Sequence, residues 1–138
     1  MSIIQTQTTS FKKELYEAVH NLSTDTIYIA LYTGNANLNE TTTAYSSTDE
    51  VVATGYTAGG TDMTGVSISS SGSVAYVNWD NVGWSAALTA RCALIYNVTQ
   101  GNKSIAVLDF GSDKTSTTTF TITMPANTST TALIRSSN

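Results

Sequence analysis

Thr26-Ile27-Tyr28-Ile29-Ala30-Leu31-Tyr32-Thr33 is the stretch that decides the fold class. In an extended chain successive side chains point to opposite faces, so Ile27, Ile29 and Leu31 share one face and Tyr28, Ala30 and Tyr32 the other. Neither face is polar, which predicts a central strand covered on both sides.

Downstream the same period of two recurs in shorter runs. Val66 and Ile68 lead to Ser70-Ser71-Gly72, and Val74 and Tyr76 then alternate with Ala75, Val77 and Trp79, the signature of a hairpin. Asp80-Asn81 and Gly83 interrupt it. Leu88 to Asn97 alternates again and is expected to pair with Ser104–Phe110 across Gly101-Asn102. In Thr117–Met124, Phe120, Ile122 and Met124 face inward and the threonines outward, and a short strand over Thr131–Arg135 follows Pro125. About seven strands with frequent turns predict an all-β antiparallel β-sandwich of jelly-roll or Greek-key type, with a closed barrel as the alternative.

Upstream, Phe11, Leu15, Ala18, Val19 and Leu22 fall at helical spacing. They predict one N-terminal α-helix from Ser10 to about Asn21, with Ser10 as its cap, Lys13 and Glu17 as an i,i+4 pair and His20 facing solvent. Residues 1–9 read as a flexible arm and residues 10–138 as one domain. Gly34 to Gly60 has few large aliphatic side chains and reads as a long excursion with one short element near Tyr45–Ala53.

Composition supports this class. The chain has 138 residues, enough for one core, and 25 Thr and 17 Ser supply polarity where only 12% of residues are charged. Thr, Val, Ile and Tyr suit a pleated sheet surface. A net charge of -4 with six basic residues argues against nucleic acid as a partner. No secretory leader is recognisable at the N-terminus and no apolar run reaches the roughly 18 residues of a membrane span, so no membrane partner is expected. Five Asn-x-Ser/Thr triplets, at Asn21, Asn39, Asn97, Asn102 and Asn127, are what so hydroxyl-rich a chain produces by chance.

Chemistry-bearing residues are sparse. Cys92 and His20 are the only residues of their types, so neither a disulfide within the chain nor a Cys/His zinc site is expected. Cys92 is in phase with Leu88, Ala90 and Leu94 and reads as a small buried hydrophobe. Gly55-Tyr56-Thr57-Ala58-Gly59-Gly60 lacks dinucleotide spacing and a P-loop lysine, leaving tight turns as the role of its glycines. Asp49, Glu50, Asp80, Asp109 and Asp113 match no regular calcium loop and read as turn carboxylates. The expectation is a protein with no catalytic residues, metal or cofactor. Trp79, Trp84, Tyr45 and Tyr56 suit core packing, a protein interface or a sugar-stacking face.

Three segments together resemble a family of small accessory virion proteins of tailed bacteriophages: Phe11–Thr33 (FKKELYEAVHNLSTDTIYIALYT), Thr41–Gly60 (TTTAYSSTDEVVATGYTAGG) and Ala93–Asp113 (ALIYNVTQGNKSIAVLDFGSD). The resemblance extends from about Ser10 to Arg135. It implies a structural protein made in the host cytoplasm and placed on the capsid surface of the virion, a capsid decoration or cement protein whose partner is the major capsid protein. The alternative is a tail or neck component, including a receptor- or carbohydrate-binding module. A homo-oligomer, dimer or trimer, is expected. The partner-contact candidates are Ile3 and Ile4 in the arm and Tyr45, Tyr56 and Trp84 around the long loop.

Overall fold

The computed structural model describes residues 2–137. The chain is mostly β with one helix. Its elements in order are β1 (Ser2–Ile3), β2 (Thr6–Gln7), α1 (Thr9–Tyr16), β3 (Ile27–Tyr32), β4 (Asn37–Leu38), β5 (Thr61–Asp62), β6 (Ser67–Ser71), β7 (Val74–Asn78), β8 (Val82–Trp84), β9 (Thr89–Asn97), β10 (Lys103–Thr115), β11 (Phe120–Ile122) and β12 (Ile134–Ser136). The principal sheet has the order β2-β10-β9-β3-β5, and all its pairings are antiparallel. A three-stranded sheet β12-β7-β6 and the pair β11-β8 pack with α1 on one of its faces.

As the alternation requires, β3 is buried on both sides. Ile27, Ile29 and Leu31 enter a large core with Phe11, Trp79, Trp84, Ile95, Phe120 and Ile134. Ala30 and Tyr32 enter a second core with Cys92, Leu94, Tyr96, Val107 and Leu38. The second core exists because the segment after β3 folds back: β4 and β1, paired in parallel, cover that face, and Ile3 packs against it.

The seven expected strands are present, with differences in pairing. Phe120–Ile122 pairs with β8, a strand at the place where Gly83 was expected only to break the chain, and Ile134–Ser136 pairs with β7. Gly83 is tolerated in β8 because Val82 and Trp84 on either side of it are buried. Two-residue strands account for the rest of the larger count. They lack enough residues to show a period.

Residues 2–7, expected to be part of a free arm, are instead paired: β1 lies beside β4, β2 lies beside Ala106 and Val107, and the Gln7 side-chain amide donates to the Arg135 carbonyl at 3.0 Å. The helix is correspondingly shifted and shorter than expected. The Thr8 backbone N–H donates to the Ile105 carbonyl and its hydroxyl lies 3.0 Å from that of Ser104, so Thr8 is held against β10 and acts as the cap, its Oγ1 accepting from the Phe11 N–H.

At the other end, Val19 N–H donates to the Glu14 carbonyl and Ala18 N–H to that of Leu15. With Ala18 at φ 58° this is a Schellman stop, in which glycine usually occupies the left-handed position. It ends α1 well before Asn21. Because a side chain costs about 1–2 kcal/mol in that conformation and glycine returns part of this as unfolded-chain entropy, Ala18→Gly is expected to raise stability by roughly 0.5–1 kcal/mol. Urea denaturation monitored by tryptophan fluorescence checks this, and a loss of stability would contradict it.

Candidate functional site

The turn at Ala18 swings His20 inward, correcting its expected place on a solvent-facing helix surface. His20 is buried: its Nε2 lies 2.9 Å from Glu14 Oε1 and its Nδ1 3.0 Å from Asn97 Nδ2. Asn97 also donates to Asp25 Oδ2 at 2.8 Å, and the Gln100 amide reaches the same oxygen. Since Asn97 Nδ2 can only donate, Nδ1 of His20 accepts and Nε2 carries the proton toward Glu14. Burial raises the Asp25 carboxyl, but hydrogen bonds from Asn21 N–H, Asn97 and Gln100, with the nearby imidazole, outweigh it and hold the group below its ordinary value. The cluster ties α1 to the end of β9. Among the described residues no hydroxyl or thiol nucleophile is hydrogen-bonded to the imidazole, whose two nitrogens are already engaged.

A second polar cluster holds the long excursion. Glu50, which the sequence placed among solvated turn carboxylates, is only 8% exposed. Tyr45 donates its phenol to Oε1 at 2.5 Å, while Tyr56 and the Gly59 N–H donate to Oε2 at 2.5 and 2.8 Å. The Tyr56 oxygen in turn accepts from the Leu31 N–H at 2.9 Å. Tyr32 and Tyr96 donate to the carbonyls of Ser46 and Gly59. Three phenols, of Tyr32, Tyr56 and Tyr96, thus join residues 45–59 to β3 and β9, and the Tyr45 phenol closes the loop on itself through Glu50. Desolvation first, and the charge of Glu50 second, push the Tyr32 and Tyr96 phenols upward, Tyr96 to about 12; burial and the hydrogen bond to Glu50 do the same to Tyr45 and Tyr56. All four remain protonated donors at neutral pH. The arrangement is a lock, with every Glu50 oxygen occupied.

The partner-contact candidates divide accordingly. Tyr56 and Trp84 are 8% and 6% exposed, with ring centroids 5.8 Å apart inside the large core. Tyr45 is half-buried and stacks on Tyr96 at 4.7 Å, and Ile3 is half-buried against the second core. These four are committed to the interior, because the five-stranded sheet needs cover on both faces and large aromatic groups supply it. Only Ile4 remains open, at 46%. Trp79 is buried too, so the aromatic set forms no sugar-stacking face. Among the exposed apolar residues that periodicity missed are Tyr16, 94% exposed at the end of α1, and Val52, 97% exposed beside buried Val51. The position of Val52 two residues after Glu50, in a loop pinned on either side, was its only signal.

The other chemistry-bearing residues are accounted for by packing. Cys92 is fully buried, and burial first, then the Asp109 charge, push its thiol up to about 12. Asp109 pairs with Arg91 at 3.2 Å. Among the described residues no three His, Cys, Asp or Glu side chains converge to hold a metal ion, and no helix is long and apolar enough to cross a membrane.

Several concavities dent the surface of the described residues, among them two of several hundred Å³. One, of about 700 Å³, is lined by Phe110, Lys114 and the hydroxyl-rich run 115–123. The other, of about 400 Å³, is an apolar groove between α1 and the three-stranded sheet, with Phe11 and Leu22 on the helix side and Ile68, Val77 and Ile134 on the sheet side. Compared with models of protein families, with curated proteins and with solved structures, the chain matches none.

Proposed function

We propose that the protein is a structural component of a tailed-bacteriophage virion, a capsid decoration or cement protein that binds the major capsid protein on the outer shell and stabilises the head. The three segments quoted above suggest the class. The structural observation that favours a building role over a chemical one is the consumption of Glu50 and of four tyrosines, two bonded to it and two to loop carbonyls, in holding a long loop rigid. A loop fixed in this way presents Val52 as a pre-ordered apolar point, so little conformational entropy is lost when it docks. Ile4, fixed by its N–H bond to the Leu38 carbonyl, is a second such point. Modest contacts of this kind gain strength when many copies engage one lattice.

Cryo-electron microscopy of the virion encoding the chain tests the reading: density of this size repeated on every capsomer is expected, and a bare shell would overturn it. With purified capsids, the I4D/V52D pair is expected to weaken binding at least tenfold without lowering the melting temperature, since desolvating two carboxylates in an apolar contact costs well over about 1.4 kcal/mol. Unchanged capsid binding would remove these residues from the interface.

A tail or neck component is the second reading, with a receptor or carbohydrate as partner. It draws on the cleft at Phe110 and residues 114–123, where hydroxyls surround one half-buried aromatic ring. Density confined to the tail or neck in the same micrographs would favour it.

A further inference from the structure

Strand β6 has one paired side and one free side. It pairs with β7 from Ser67↔Asn78 to Ser71↔Val74, and Gly72 at φ 60° followed by Ser73 closes the hairpin in the II′ manner. In a two-residue hairpin the pair that closes the turn exchanges both hydrogen bonds, and such pairs then alternate along the ladder. Ser71, Ser69 and Ser67 therefore bond toward β7, and the N–H and C=O groups of Ile68 and Ser70 point away from it. Asn127 reaches the Ser67 side chain, closing that end, but Ile68 to Ser71 are exposed.

The other margins of the five-stranded and three-stranded sheets are protected. β2 and β5 have two residues each, and β12 receives Gln7 on its Arg135 carbonyl. The outer part of β10 is interrupted by the register shift between Asp109 and Lys114 and carries Asp113 and Lys114. Short edges, bulges and charges are the usual devices against edge-to-edge pairing. β6 has none of them: from Gly65 to Trp79 there is no Asp, Glu, Lys, Arg or Pro.

We propose that β6 is a self-association edge, pairing antiparallel with β6 of a second copy about a two-fold axis through Ser69. In this register Ile68 faces Ser70 of the second copy and Ser70 faces its Ile68, giving four backbone hydrogen bonds from groups that are otherwise unpaired in the sheet. Two three-stranded sheets become one of six strands. The occupant follows from what the register brings together. Ile68, 51% exposed at the margin of the apolar groove, becomes the diagonal neighbour of its own copy and the two side chains cover one another. In a chain of net charge -4, this uncharged hairpin lets two copies meet without like charges opposed. Small serines on both sides permit the close approach. The inference gives a surface to the oligomer in the functional reading but does not depend on the capsid.

The test uses the purified full chain without capsids. Sedimentation velocity over a concentration series is expected to show a monomer–dimer equilibrium, abolished by S70K, an edge lysine that leaves the thermal melt unchanged. At a pair not exchanging hydrogen bonds, such as Ser69 with its copy, the Cα atoms are about 4.5 Å apart, within disulfide range. S69C is therefore expected to form a covalent dimer on mild oxidation, with Cys92 buried and out of competition. In the same register S67C lies opposite position 71, about 13 Å from its own copy, and is expected to cross-link at least tenfold less. A monomer at every concentration, a dimer that survives S70K, or equal cross-linking of S69C and S67C would each overturn the proposal. None of these results would bear on capsid binding, which is measured separately.

Discussion

Removing the Glu50 carboxylate is expected to destabilise the protein by about 3 kcal/mol, because each buried donor left without an acceptor costs about 1–3 kcal/mol and Glu50→Ala strands three. Those donors are the phenols of Tyr45 and Tyr56 and the Gly59 N–H. Half-buried Tyr45 recovers part of its loss by turning to water; Tyr56 and Gly59 have less access. For a domain of this length the change corresponds to a fall in melting temperature of roughly 10 °C. Glu50→Gln separates charge from shape: it keeps one carbonyl oxygen but sets an NH2 group where the other oxygen accepted, and is expected to cost roughly 1–2 kcal/mol. Tyr56→Phe removes a donor to Glu50 and leaves the Leu31 N–H in the central strand without its acceptor, so it should cost more than Tyr45→Phe. Urea denaturation of the four variants checks the order. An Ala variant within about 0.5 kcal/mol of the parent would mean that packing alone holds the loop, the range of an ordinary surface substitution.

The all-β class was legible because it rests on period: β3 could be read from eight residues whose two faces were both apolar, and β6, β7, β9, β10 and β11 from simple alternation. Elements below the length at which a period exists were not legible. Nothing in Ser2-Ile3 or Thr6-Gln7 distinguishes a frayed end from an edge partner, since pairing there depends on β4 and β10, distant in sequence. The helix end carries no mark in the sequence because Ala18 occupies a position where glycine would signal the stop, and the early stop places His20 in the interior and not on the surface.

The candidate site was less legible for a related reason. Tyr45, Tyr56 and Trp84 stand out in the sequence as aromatic residues in and near the long loop, but a tyrosine looks the same there whether its hydroxyl meets a partner or a buried carboxylate. The deciding residue, Glu50, carries no local signal of burial. Its donors come from before and after it in the loop, and the loop itself is anchored by phenols on β3 and β9. Val52 and the free side of β6 are visible only once strand order and exposure are known.

Gly60→Ala is expected to be the most damaging single-methyl change in the chain, costing roughly 3 kcal/mol or more, a large fraction of a typical domain's total stability of about 5–15 kcal/mol. Gly60 has φ 85°, and a Cβ there would stand 1.8 Å from the Ile29 carbonyl oxygen and 2.6 Å from its carbon. These are backbone atoms of the central strand, fixed by β9 on one side and β5 on the other, so they cannot yield as a flexible side chain would. Relief requires the loop to lift from β3, which unpairs Thr61 from Ile29 and withdraws the neighbouring Gly59 N–H from Glu50. Gly72→Ala is the matched control. Gly72 has φ 60° with open space where a Cβ would go, so only the positive-φ backbone of the turn is penalised, by about 1–3 kcal/mol. The difference between the two variants isolates the close approach from the backbone angle. If Gly60→Ala proves no worse than Gly72→Ala, the loop can shift without losing its lock, and the rigidity on which the docking role of Val52 depends would go with it. If it is far worse, the glycine-rich stretch that sequence could assign only to tight turns is the place where the long loop is pressed onto the central strand.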